Sequence, residues 1–142
     1  MEQKSDIDTA FLAAQMSFLA AQKSGKNNHL KSDYSTLKDV QNAVYPALHE
    51  RGFAVLFGLV WHEQAVTGVE CKLQRGTESI STICPIGSWQ NMQQLGSAIT
   101  YAKRYALIAI TGVAINDGTD DDGEAQKRVK GAEGGRTADN ST

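Results

Sequence analysis

Cysteine and proline are scarce in this chain, at two residues each, and aromatic residues make up only 7% of it. Cys71 and Cys84 stand in no C-x-x-C pattern, which excludes a disulfide framework and a zinc-type ligand set. They read instead as reduced, half-buried strand residues. No apolar run reaches the roughly 18 residues that a membrane span needs. The opening residues MEQKSDID lack the basic-then-apolar order of a secretory signal, so a cytoplasmic protein is expected.

Known catalytic patterns are missing as well. Gly25-Lys26-Asn27 lacks the first glycine and the hydroxyl residue of a G-x-x-x-x-G-K-[ST] phosphate loop, which speaks against ATP-driven chemistry. The three histidines, His29, His49 and His62, have no H-E-x-x-H spacing and read as ordinary surface residues. Asp120-Asp121-Asp122-Gly123 resembles a calcium loop only in part. Gly118 stands four residues before Asp122, and Val129 takes the place of the closing glutamate. The run reads as the solvated start of a tail, with two alternatives. Asp117, Asp120, Asp121 and Asp122 could hold Mg²⁺ in a metal-dependent nuclease, or the acids could compete with nucleic acid for a basic surface. No resident cofactor or metal is expected.

With 142 residues, 41% of them hydrophobic and 21% charged, the chain is long enough for a self-sufficient core. Its formal charge of −2 is unevenly spread. Residues 1–23 carry three acids and two bases, and 24–115 carry eight bases and six acids. Residues 116–142 carry seven acids and four bases, so the middle is +2 and the end −3. A mildly basic body admits phosphate contacts that the overall charge conceals.

Ser5-x-x-Asp8 has the form of a capping box, and Ile7, Phe11, Ala14, Phe18 and Ala21 continue at helical spacing, predicting a helix over about 6–23. Residues 24–35 are polar and read as a loop carrying Lys26, Lys31 and Tyr34. Thr36-x-x-Asp39 starts a second helix with Leu37, Val40, Val44 and Leu48 on one stripe, Pro46 as an expected kink and Gly52 as its C-terminal cap. The period then shifts to two over 53–62, 65–75 and 78–86, with short connections at Glu63-Gln64 and Arg75-Gly76-Thr77. Connections this short leave no room for parallel crossovers, so the strands form an antiparallel meander. A long helix is predicted over 90–111, and hydrophobic periodicity stops after about Ile115.

The fold class is therefore α+β: a three-stranded antiparallel meander packed on a long helix, preceded by two helices. One domain covers 1–116, and 117–142 form an acidic, mobile tail. On the long helix, Leu95, Ile99, Ala102, Ala106 and Ala109 share the face expected against the sheet. Gln93, Ser97, Thr100, Arg104 and Thr111 gather on the opposite side, with Tyr101 at one edge of that stripe and Lys103, beside Gly96, at the other. Lys103, Arg104, Tyr101 and Tyr105 have a bland reading, as a solvated helix end with packing tyrosines. The other reading, for Lys103, Arg104 and Tyr101, is a single-strand groove, which needs cations along the backbone and aromatic faces for bases. The candidate set for such a groove is Lys103, Arg104, Tyr101, Arg75, Lys72, Lys31, Lys26 and Tyr34, if these residues converge. The small residues Gly96, Ser97 and Ala98 suggest that another helix or a ligand backbone comes close.

Three blocks carry a resemblance to a known family. They are Tyr34-Ser35-Thr36-Leu37-Lys38-Asp39-Val40 ahead of Val44-Tyr45-Pro46-Ala47-Leu48 and Gly52-Phe53, the segment GSAITYAKRYAL at 96–107, and Gly112-Val113 through Asp122-Gly123. Across about 6–124 the chain resembles the ERF family of phage-type single-strand annealing proteins. The resemblance implies ATP-independent binding of single-stranded DNA and annealing of complementary strands in recombination and repair. It also implies a ring or filament of identical subunits in a bacterial or phage-infected cell, and a distant likeness to the eukaryotic annealing recombinases in their β-β-β-α core. It places the basic pair Lys103 and Arg104 toward DNA. Longer members continue past the acidic run, which leaves contact with a single-strand-binding protein open.

Overall fold

The computed structural model describes residues 5–27 and 32–115. The acidic segment from Asp117, including the aspartates considered for a nuclease, and Lys31 lie outside the described residues. Helix α1 (Ile7–Met16) is followed by a small hairpin, β1 (Gly25–Asn27) with β2 (Ser32–Tyr34), and by helix α2 (Leu37–Glu50). Strands β3 (Ala54–His62), β4 (Ala65–Arg75) and β5 (Glu78–Pro85) lead into helix α3 (Met92–Thr111). The larger sheet has the order β3-β4-β5 and is antiparallel throughout. The α+β architecture read from the sequence is the one observed.

Alternation decides which face of the sheet is covered. Val69, Cys71 and Leu73 of β4 are fully buried, while Glu70, Lys72 and Gln74 between them stand on the other face. Helix α3 packs across β4 and β5, and α2 packs against α3 and α1. The core beneath joins Ala10 and Ala14 of α1, Val40, Val44 and Leu48 of α2, Phe53, and Ala106 and Leu107 of α3. Phe11 meets the rings of Phe53 and Phe18 edge-on at 6.2 and 6.4 Å.

Helix α2 starts as its capping box requires. The Asp39 backbone N–H donates to Thr36 Oγ1 at 3.1 Å, and the Thr36 N–H donates to Asp39 Oδ2 at 2.9 Å. The same Oδ2 accepts the Ser24 N–H and hydroxyl at 2.9 and 2.7 Å, which ties the approach to the hairpin onto the helix. Past the helix end, Gly52 takes φ +88°, a left-handed conformation that costs glycine little. Pro46 lies inside the helix, which continues to Glu50.

Four expectations are corrected. The first helix ends at Met16 and not near Lys23. Beyond it the backbone finds other acceptors, Leu19 N–H donating to Ala43 O at 3.2 Å and Ala21 N–H to Ala114 O at 2.7 Å. Phe18 and Ala21 stay in the core without being helical, which explains why their spacing misled. The cap of that helix is Asp6, whose Oδ1 accepts the Thr9 N–H at 2.8 Å, and not Ser5. The 24–35 loop contains the β1–β2 hairpin, with Lys26 opposite Asp33. On α3, Thr111 is fully buried and Ala109 exposed, the reverse of the helical-wheel assignment. Thr111 donates its hydroxyl to Leu107 O at 2.7 Å, and its carbonyl accepts Gln15 Nε2 at 2.9 Å. The buried stripe drifts round the helix because its C-terminal end faces the other helices as well as the sheet.

Candidate nucleic-acid interface

The half-buried guanidinium of Arg104 is the centre of an aromatic cluster. Its Cζ lies 4.7 Å from the Tyr105 ring centroid, 4.8 Å from that of Tyr101 and 5.3 Å from that of Tyr34. Nη1 donates to Ser35 O at 3.2 Å, so α3 is joined through Arg104 to the hairpin and to the entry of α2. Helical geometry explains half of this arrangement. Residues four apart share a face, and the Tyr101 and Tyr105 rings meet at 5.0 Å with their hydroxyl oxygens 3.5 Å apart. That hydroxyl contact, with burial second, raises the Tyr105 pKa above the ordinary tyrosine value, while the Arg104 charge pulls it the other way.

Tyr34 arrives from a distant part of the chain, and Gly25 makes room for it. A Cβ on Gly25 would lie 2.6–2.7 Å from three ring atoms of Tyr34, so the ring rests directly on the glycine backbone across the hairpin. The guanidinium is thereby framed by rings, and among the described residues its contacts with Ser35 O and the Tyr105 hydroxyl use fewer than its five N–H donors. A guanidinium stacked on aromatic faces keeps its in-plane donors for a phosphate. Tyr101 and Tyr105 are exposed by 57% and 47%, so their rings also present surface to solvent.

The other candidate residues lie apart from this cluster. Lys103, half-buried on a neighbouring face of α3, holds its ammonium 5.5 Å from the Phe57 ring of β3. Lys26 pairs with Asp33 at 3.1 Å on the exposed hairpin that carries Tyr34. Lys72 stands on the sheet face opposite α3, because its neighbours Cys71 and Leu73 point into the core. Arg75 donates Nε to Arg51 O at 2.9 Å and Nη1 to Ser5 O at 2.6 Å, fastening the end of α2 and the start of α1 to the sheet. The structure thus brings Tyr34, Tyr101 and Arg104 together, and adds Tyr105, which the sequence reading left out of the site. Its signal was present in its place next to Arg104 and four residues after Tyr101.

No group of three or more His, Cys, Asp or Glu side chains suited to a metal occurs among the described residues. No helix among them is long and apolar enough to cross a membrane. Fold and cluster together define an α+β domain with a cationic, tyrosine-lined surface on its long helix. The chain belongs to the ERF superfamily, whose family model matches residues 7–141. That membership makes it, in general terms, a phage-type single-strand annealing recombination protein. No curated protein and no solved structure matches the chain.

Proposed function

We propose that this protein binds single-stranded DNA and anneals complementary strands without ATP, as an oligomeric ring or filament. The observation that carries the reading is Arg104 framed by Tyr34, Tyr101 and Tyr105 on the helix. Arg104 and Lys103 hold phosphates, the tyrosines offer faces to bases, and Lys26 and Lys31 are further phosphate contacts, Lys26 from the hairpin that carries Tyr34. Lys72 and Arg75 are at best peripheral to this surface, one lying across the sheet and the other bound to backbone carbonyls. A strand held by its backbone keeps base edges free to pair, and two such strands on one assembly meet at a high effective concentration. No covalent step is involved, in keeping with a sequence that has no phosphate loop. Assembly is supported by the outer edges of β3 and β5, which pair with no other described strand.

The test is annealing of labelled complementary oligonucleotides by wild type and by a Lys103→Ala, Arg104→Ala double variant. Circular dichroism checks that the fold survives. Wild type is expected to anneal without ATP and to leave single strands intact in Mg²⁺, and the double variant to lose annealing. Annealing at the wild-type rate by a folded double variant refutes the site, and cleavage of the strand refutes the activity. Arg104→Lys, which keeps the charge and loses the planar stack, should fall between the two.

A further inference from the structure

The tyrosine pair has a second side. Between the end of β5 and helix α3 lies an open cleft of about 380 Å³, walled by Tyr101 and Tyr105 on one side and Cys84 and Pro85 on the other, with Ala98 and Ala102 as its floor. At about 100° per residue, Arg104, Tyr101, Tyr105, Ala98 and Ala102 follow one another around α3 in that order. The two rings therefore divide the cleft from the guanidinium. Among the described residues no charged side chain lines the cleft, whereas a cation lies directly across the tyrosine wall.

We propose that this cleft holds one unpaired nucleobase of a bound single strand, stacked on one of the mutually inclined rings of Tyr101 and Tyr105 and packed against the other, with the adjoining phosphate at Arg104. The proposal rests on the single-strand-binding reading above and adds a site to it. The volume is at the low end of ligand sites, a size suited to one flat ring system. Apolar walls exclude a phosphate and accept a base. The side chains of Ala98 and Ala102 stop at Cβ, so a ring can reach the helix there. The site tolerates any base, because each has a π-face to stack.

The chain carries its own probe. Cys84 is half-buried on the cleft wall, whereas Cys71 is fully buried and its thiol is pushed up to about 12, chiefly by burial and then by the Glu70 charge. Alkylation by iodoacetamide, read at Cys84 by mass spectrometry, is compared without DNA, with an oligothymidylate, and with an abasic strand of equal length. The base-bearing strand should slow Cys84 alkylation at least severalfold, and the abasic strand should bind without protecting. Equal protection by both strands, or protection by neither while both bind, overturns the cleft and leaves single-strand binding standing. Failure of both strands to bind removes the broader reading and the cleft with it. Protection without DNA that grows with protein concentration assigns the cleft to a second copy and overturns the proposal. A Tyr101→Leu, Tyr105→Leu double variant keeps the apolar bulk. Its affinity for the base-bearing strand should fall about fivefold or more beyond its loss on the abasic strand, and equal losses on the two strands would refute the stack.

Discussion

Arg104 is both fastener and candidate ligand contact, and the two roles are separable because the side chain has more donors than Ser35 uses. Its position depends on Tyr34, and that of Tyr34 on the missing side chain of Gly25. Gly25→Ala would place a methyl group 2.6 Å from the Tyr34 ring, and that ring, 40% exposed, is free at its outer end. The ring should swing off the hairpin at a cost of about 1 kcal/mol in stability, leaving Arg104 with two aromatic partners instead of three. A cation–π contact at an exposed site contributes about 0.5–1 kcal/mol. Single-strand affinity should accordingly fall about two- to fivefold, measured by fluorescence anisotropy. In an Arg104→Ala background the same substitution should change affinity no further. An equal loss in both backgrounds would mean that Tyr34 acts independently of Arg104.

At the scale of the element, Asp39 organises the start of α2 and the approach to the hairpin at once. Burial favours its neutral form, but hydrogen bonds from Ser24 and Thr36 outweigh that and lower its pKa from 3.8 to about 2. The folded value lies below the unfolded one, so the stabilisation is complete above about pH 4 and is lost as pH falls toward 2. The shift corresponds to about 2 kcal/mol. In urea unfolding, Asp39→Asn should be less stable than wild type near neutral pH, and the gap should close by about that amount between pH 5 and pH 2. A gap that stays constant across the interval would show that the carboxylate charge is not what holds the junction. The Thr36-x-x-Asp39 signal predicted this cap because its geometry is local. Nothing in the sequence indicated that Ser24 would share the same oxygen, since that bond depends on where the chain returns after α1.

For the whole molecule, the prediction concerns salt. Each phosphate neutralised on a single strand contributes about 0.7 to the slope of log K against log salt. Lys103 and Arg104 should together give a slope of about −1.4 per protomer, and Lys103→Ala should lessen it by about 0.7. An unchanged slope in that variant would separate Lys103 from the phosphates and leave it as a packing partner of Phe57. The middle of the chain carries eight bases against six acids, and among the described residues the fold does not gather the bases on one side. Arg75 is drawn into backbone hydrogen bonds, Lys26 into a pair with Asp33, and Lys72 onto the far face of the sheet.

The elements that depend on near neighbours were legible in the residues themselves. The meander follows from two-residue alternation and short turns, α2 from its capping box and glycine stop, and α3 from a long periodic run. Membership in the ERF superfamily was legible for the same reason, being carried by contiguous blocks such as GSAITYAKRYAL. Only the tertiary structure decided which cations stay together. It set Tyr34 of the hairpin against Arg104 of the helix, a contact spanning 70 positions along the chain. It also ended α1 at Met16, by offering the following backbone donors the carbonyls of Ala43 and Ala114. Periodicity records which side of an element is apolar. It does not record which partner a side chain or a backbone donor meets once the elements pack, and the character of this surface was settled there.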